Sequence, residues 1–121
     1  ESKGELLISN ILNDLNIDFQ REVIISDTRQ RFDFYFELQN KKFAIEYNGR
    51  QHFEPIAFFG GEEEFKIQQE RDKRKEKYCE DNSIDLLVIP YWFTETQIKD
   101  TIKNKFNDYL SMRVESSDSK Q

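Results

Sequence analysis

The stretch that decides the fold lies at positions 31–38 and has the sequence RFDFYFEL. Apolar and polar side chains alternate in it, so the phenylalanines share one face and Asp33 and Tyr35 share the other. This period of two predicts a strand with one buried face. A polar turn at positions 39–41 leads into KFAIEY at 42–47, and the two strands are therefore expected to form a hairpin.

The flanking segments predict three helices and two more strands. In chain order they are a helix over 2–16, a strand over 19–25, the hairpin, a loop over 50–61, a charged helix over 62–82, an apolar strand over 84–89 and a helix over 94–110. The apolar strand is expected to be buried on both faces. Because the charged helix can act as a right-handed crossover, the strands before and after it should be parallel neighbours. The fold class is α/β, a small mixed β-sheet flanked by helices in the order α-β-β-β-α-β-α.

Length and composition indicate one domain. The chain has 121 residues, and we expect a single catalytic domain over 1–110 and a polar, frayed tail over 111–121. Only 36% of the residues are hydrophobic but 14% are aromatic, so a few large side chains should build the core. One Cys and one His exclude an internal disulfide and a four-ligand zinc site of thiolates and imidazoles, and point to a reducing, cytoplasmic setting.

The charge and hydropathy of the chain limit its partners. No run of about 18 apolar residues is present, so no membrane partner is expected. The formal net charge is -6, which gives no overall positive field to attract nucleic acid.

Acidic residues inside predicted core strands are unusual. Asp33 and Glu46 become neighbours across the hairpin if the two strands pair through the short turn. Two carboxylates that lie close together repel each other unless a cation joins them, and oxygen ligands of this kind suit Mg²⁺. In the alternative interpretation both side chains simply face solvent on the polar side of the hairpin.

His52 is the single imidazole and follows the second hairpin strand at the start of the long loop. An imidazole there could accept and return a proton, and Asp72 on the charged helix could orient the ring. The alternative is a loop histidine bonded to the backbone and a solvated helix aspartate. A nucleophile pair of His52 with Cys79 is disfavoured, because Cys79 lies beside Tyr78 on the charged helix, where it is expected to pack.

The charged helix also carries the densest basic stretch, which includes Arg71, Lys73 and Arg74. Such a stretch could follow a phosphate backbone. Glutamates alternate with these residues, so ordinary ion pairs along the helix are the competing interpretation.

Five short motifs together resemble a known family of nucleases. They are SKGE at 2–5, RFDF at 31–34, IEYNGRQH at 45–52, RD at 71–72 and LVIPYW at 87–92. In this combination the chain resembles very-short-patch repair endonucleases and phage homing endonucleases with a Glu-Asp-x-His-Asp signature, within the PD-(D/E)XK superfamily. The resemblance covers about residues 2 to 93.

The resemblance implies a restriction-endonuclease-like fold and a role for each matched residue. Asp33 would be the main metal carboxylate, and Glu46 would be able to coordinate the same ion. His52 would be the general base or its proton shuttle, Asp72 would orient it, and Glu5 would hold water beside the metal. The family pattern also implies Mg²⁺ or Mn²⁺ as cofactor and double-stranded DNA as substrate.

Two departures from the family pattern matter. The superfamily usually has an acid, one residue and a lysine, whereas this chain has Glu46-Tyr47-Asn48. The aromatic residues that precede the histidine in the repair enzymes are replaced by Arg50 and Gln51, so mismatch recognition does not carry over. Arg50 and Gln51 join Arg71, Lys73 and Arg74 as candidate DNA contacts.

The leading hypothesis is therefore the catalytic domain of a phage or mobile-element homing endonuclease acting inside a bacterial host cell. Its DNA-recognition module is expected outside this chain, and a homodimer would suit a double-strand break. One alternative is an inactive nuclease-fold module that binds DNA or protein, because the motif lysine is missing. Another is a nuclease for branched DNA or RNA on the same fold.

Overall fold

A computed structural model describes residues 2–26 and 29–119. The elements follow the order α1 (Lys3–Asp14), β1 (Gln20–Ile24), β2 (Arg31–Leu38), β3 (Lys41–Asn48), α2 (Gly61–Asp81), β4 (Ile84–Pro90) and α3 (Glu95–Ser119). The predicted α/β order is confirmed. The long loop contains two short 3₁₀ turns, Arg50–His52 and Ala57–Phe59.

The four strands form one mixed sheet in the order β1-β2-β3-β4. The pairs β1–β2 and β2–β3 are antiparallel, while β3 and β4 are parallel and joined by α2. The hairpin turns on Gln39 and Asn40, which both have positive φ (51° and 64°), as a tight two-residue turn requires. The predicted hairpin and crossover are thus both present.

The burial predicted for the last strand is wrong. β4 is the outer strand of the sheet, so it has a neighbour on one side only, and Val88 within it is 38% exposed. Its apolar sequence reflects partial cover by α2 on one face and contact with the main core through Ile89 on the other.

Helices cover the two faces of the sheet unequally. Ile8 and Leu12 of α1 and Phe106 of α3 pack against the large core on one face, where the rings of Phe43 and Phe106 meet edge to face at 5.0 Å. Cys79 of α2 belongs to a smaller cluster with Phe32 and Ala44. Phenylalanines contribute to both clusters, but isoleucines and leucines make up most of the large core, so the expected core of a few large aromatic side chains is present only in part.

The start of α1 carries a side-chain cap, and α3 extends further than the sequence predicts. Ser2 and Glu5 form a reciprocal cap at the start of α1, with the Glu5 N–H donating to Ser2 Oγ at 3.1 Å. The sequence predicts that α3 ends at Leu110, but the helix continues to Ser119, because no Gly or Pro stands between them to stop it. Positions 120–121 of the predicted frayed tail lie outside the described residues.

Across residues 2–26 and 29–119, none of the helices combines the length and apolar character that a bilayer crossing needs.

Candidate active site

The two strands of the hairpin separate at Asp33 and Glu46. Their backbone pairing runs from the turn to Phe34 and Ile45. Beyond that point side chains replace the backbone acceptors: the Asp33 N–H donates to Glu46 Oε2 at 2.7 Å, and the Tyr47 N–H donates to Asp33 Oδ2 at 2.8 Å. We call this point, made of Asp33, Glu46 and Tyr47, the β2–β3 fork. The structure thus brings the two predicted carboxylates together.

Glu46 is buried, so the interpretation in which it faces solvent is wrong. Its second carboxylate oxygen, Oε1, forms an ion pair with Lys75 Nζ of α2. Lys75 Nζ also donates to the backbone oxygen of Arg31 at 2.8 Å. Both oxygens of Glu46 therefore have protein partners, one from β2 and one from α2.

Asp33 lies in an environment that disfavours its charge. Burial, and then the negative charge of Glu46, raise the pKa of Asp33 from 3.8 to about 8, although the hydrogen bond from the Tyr47 N–H opposes the rise. An acid with such a pKa is largely protonated at neutral pH. A cation at the carboxylate would offset the cost of ionisation.

Further carboxylates reach Asp33 from α1 and β1. Within residues 2–26 and 29–119, oxygens of Glu5, Glu22 and Asp33 lie within 4.8 Å of one another. Arg21 holds this side of the site together, because it pairs with Glu5 Oε1 at 2.9 Å and donates to the Asp33 backbone oxygen at 2.8 Å. Such a set of hard oxygen donors fits Mg²⁺ or Mn²⁺ by its chemistry.

His52 and Asp72 meet as the sequence predicts. His52 Nδ1 lies 3.0 Å from Asp72 Oδ2, and Gln68 Nε2 donates to Asp72 Oδ1 at 3.0 Å. The side chains are 17% and 27% exposed, so the ring is held but still reachable. With Asp72 accepting from Nδ1–H, Nε2 is the nitrogen left to act as a base.

A cavity of about 290 Å³ is lined by both residues of the histidine pair and by Glu46 of the fork. Lys75 also lines it. The remaining lining residues are Asn48, Phe53, Glu76, Leu86 and Val88. The side chains of Glu46, His52, Asp72 and Lys75 thus line one cavity. Asp33 is hydrogen-bonded directly to Glu46.

The candidate DNA contacts are all exposed. Arg50 pairs with Glu54 at 2.6 Å beside the histidine turn, next to Gln51. Arg71, Lys73 and Arg74 lie on the solvent side of α2. Their positions leave them accessible to a phosphate backbone, and their use as DNA contacts stays a prediction.

Sequence reasoning misses three residues of the site, Arg21, Glu22 and Lys75. Glu22 lies on β1 between Arg21 and Val23, which pair with Phe34 and Phe32, so it stands opposite Asp33. An acidic residue on each of two paired strands is the sequence signal by which Glu22 could have been found. In the sequence Lys75 looks like one more helix base, although its spacing of three from Asp72 puts both on one face of α2.

Cys79 takes no part in the site. It is buried in the small cluster beneath α2, and burial raises the pKa of its thiol to about 11. A thiol with that pKa is not a nucleophile at neutral pH.

Comparison with known proteins gives one family match and several viral relatives. Residues 2–50 match the family described as competence protein CoiA, nuclease-like domain. Uncharacterised protein 307L of Invertebrate iridescent virus 6 is 34% identical over 77 residues, which are 61% of this chain and 39% of that protein. Uncharacterised protein 094L of Frog virus 3 (isolate Goorha) is 35% identical over 71 residues, 57% of this chain and 46% of that protein.

A third viral relative is similar to the chain over a shorter stretch. Uncharacterised protein 033L of Invertebrate iridescent virus 3 is 40% identical over 49 residues, 40% of this chain and 25% of that protein. The chain therefore spans less than half the length of each of these relatives. No solved structure is significantly similar to it. Over residues 2–50, which carry Glu5, Asp33 and Glu46, the chain is accordingly similar to a nuclease-like domain.

Proposed function

We propose that this chain is the catalytic domain of a metal-dependent endonuclease that hydrolyses phosphodiester bonds in double-stranded DNA. The observation that carries the proposal is the β2–β3 fork, where two carboxylates are held together by reciprocal backbone hydrogen bonds. The nuclease-like family match over the same strands supports it. The finer assignment, to the homing-endonuclease type, rests on the resemblance of the five sequence motifs.

The metal would be held at Asp33. Glu5 and Glu22 can supply further oxygens from α1 and β1. Glu46 is the second ligand expected from the sequence, and it could coordinate by exchanging one of its protein partners. When bound, Mg²⁺ or Mn²⁺ would polarise the phosphate and neutralise the charge that develops on it.

The remaining residues act on the proton and the water. His52 Nε2 would accept a proton from the attacking water, because Nδ1 is engaged by Asp72. Asp72 would stabilise the imidazolium that results, and Gln68 keeps Asp72 in place. Glu5, whose other oxygen caps α1, would orient water at the edge of the site.

DNA bound at the site would contact exposed residues of the histidine turn and of α2, namely Arg50, Gln51, Arg71, Lys73 and Arg74. A domain with a net charge of -6 should bind duplex DNA weakly and with strong salt dependence. Target choice is therefore proposed to come from a recognition module outside this chain. A double-strand break would further call for two copies of the domain.

The direct test is cleavage of nucleic acid by the purified domain. Supercoiled plasmid, linear duplex, branched DNA and RNA are incubated with Mg²⁺ or Mn²⁺, and with EDTA as the metal-free control. We expect nicking or cutting of plasmid that depends on the metal. Preferential cutting of branched DNA or RNA would favour the other nuclease types. No cleavage of any substrate with protein in excess would contradict the proposal and favour an inactive interaction module.

The basic surface of α2 gives a second expected result. Changing Arg71, Lys73 and Arg74 together to Gln should weaken binding of a duplex of about 30 bp equally for unrelated sequences. It should also lower the slope of log affinity against log salt by about two to three, because each lost phosphate contact lowers the slope by about one. Fluorescence anisotropy across a salt series measures this. Lys99→Gln with Lys103→Gln, which removes two exposed lysines from α3, is the control. An unchanged slope in the α2 variant would contradict the assignment.

A further inference from the structure

We propose that Lys75 is a positioning residue of the candidate active site: it fixes the carboxylate of Glu46, and Glu46 in turn fixes the main chain of Asp33. This inference deepens the proposed function and rests on it for any effect on cleavage. The positional part can be measured without any activity. Lys75 itself lies outside the five sequence motifs.

Burial makes Lys75 and Glu46 depend on each other. Their side chains are 14% and 6% exposed, and an ion buried without its partner is strongly unfavourable. Lys75 Nζ also donates to the Arg31 backbone oxygen and lies 6.0 Å from the centre of the Phe32 ring. All three contacts tie α2 to the start of β2 and to β3.

Glu46 links Lys75 to the main chain of Asp33. Its Oε1 faces Lys75, while its Oε2 accepts the Asp33 N–H at 2.7 Å. That hydrogen bond takes the place of continued strand pairing beyond Phe34 and Ile45. With its main chain held, Asp33 can turn its carboxylate to the Tyr47 N–H and toward the oxygens of Glu5 and Glu22.

The same helix face serves both halves of the site. Asp72 and Lys75 are three residues apart on α2, and they contact His52 and Glu46 respectively. α2 therefore sets the position of the base and of the carboxylates relative to each other. Lysine from this helix places a cation beside Glu46, where the local motif Glu46-Tyr47-Asn48 has none.

A purely structural ion pair would behave differently from a positioning residue. Losing a structural pair lowers global stability and leaves the fork unchanged as long as the protein is folded. Losing a positioning residue loosens the Asp33 amide in particular, because its acceptor is no longer held. Local amide exchange separates the two roles.

The test measures amide hydrogen exchange by NMR on the whole ¹⁵N-labelled chain. In Lys75→Met we expect the Asp33 amide to exchange at least tenfold faster. The core amides of Phe36 and Phe43 should exchange no faster than global unfolding of the variant allows. Lys75→Arg should recover most of the protection, since it keeps a cation near Glu46. Lys77→Met, which removes an exposed lysine paired with Asp81 on the same helix, should match the wild type. Unchanged exchange of the Asp33 amide in folded Lys75→Met would overturn the inference.

A second variant covers the case in which Lys75→Met does not fold. Lys75→Met combined with Glu46→Gln removes both charges together and avoids a lone buried ion. The Asp33 amide should again exchange faster, because the new carboxamide side chain at position 46 has no cation to hold it. Wild-type exchange in this double variant would also overturn the inference.

Cleavage completes the separation from the proposed function. In Lys75→Met the cleavage rate should fall with little change in KM for DNA. If the wild type does not cleave and the Asp33 amide still responds, the proposed function fails and the positioning role stands. If the wild type cleaves and the amide does not respond, the positioning role fails.

Discussion

Asp33→Asn is expected to abolish metal-dependent cleavage and, at the same time, to stabilise the metal-free protein. The amide cannot provide the negative oxygen that the cation requires, so activity should be lost. The amide also carries no charge, so it avoids the cost of an ionised Asp33 beside Glu46 in a buried position. A substitution that removes activity and raises stability would show that Asp33 is kept for function at a cost in folding stability.

The pH dependence of this gain follows from the raised pKa. In the unfolded chain Asp33 ionises near its ordinary value of 3.8, whereas in the folded protein its pKa is about 8. Between these values only the unfolded state loses the proton, so the wild type loses stability as the pH rises. The advantage of Asp33→Asn should therefore be absent below about pH 4, grow up to about pH 8 and stay constant above it.

Chemical denaturation in EDTA at several pH values measures this gain. Asp100→Asn, an exposed position on α3, is the control and should show no comparable trend. Saturating Mg²⁺ should stabilise the wild type and leave Asp33→Asn unchanged. A variant that still cuts DNA, or one that is less stable than the wild type at about pH 8 in EDTA, would contradict the role given to Asp33.

His52→Ala is expected to lower the cleavage rate by about 10²- to 10⁴-fold, the usual contribution of a general base. Metal affinity and DNA affinity should change little, because His52 is bonded to Asp72 and not to the carboxylates around Asp33. Single-turnover cleavage with protein in excess measures the chemical step, and anisotropy measures binding.

Asp72→Asn provides the graded comparison for the histidine. It keeps the shape of the side chain but no longer stabilises a charged imidazole, so we expect a smaller loss than in His52→Ala. Cleavage at the wild-type rate by His52→Ala would remove His52 from the mechanism. A loss that is fully explained by weaker DNA binding would make it a binding residue instead.

Much of the fold can be predicted because its signals are local. The alternation in positions 31–38 indicates β2, and the short polar turn after it indicates the hairpin, so Asp33 and Glu46 follow as neighbours. The meeting of His52 with Asp72 is harder to judge, since they come together only once α2 crosses back over the sheet. The motif resemblance supplies that link, and the 3.0 Å contact agrees with it.

Other features depend on contacts that no local pattern encodes. The partial exposure of β4 follows from its place at the edge of the sheet, whereas its apolar sequence favours a central strand. Lys75 is hidden among alternating charges on α2, and its burial depends on the acid at Glu46, 29 positions earlier in the sequence. Arg21 and Glu22 become part of the site only through the pairing of β1 with β2.

The most direct test of the account is Mn²⁺ binding to the wild type and to Asp33→Asn, measured by calorimetry at about pH 8 together with an EPR count of free ion. The central claim is that the β2–β3 fork is a metal centre. We expect saturable binding to the wild type, and loss of that binding in Asp33→Asn with the fold intact. Equal binding to both proteins, or no saturable binding to the wild type, would contradict the claim.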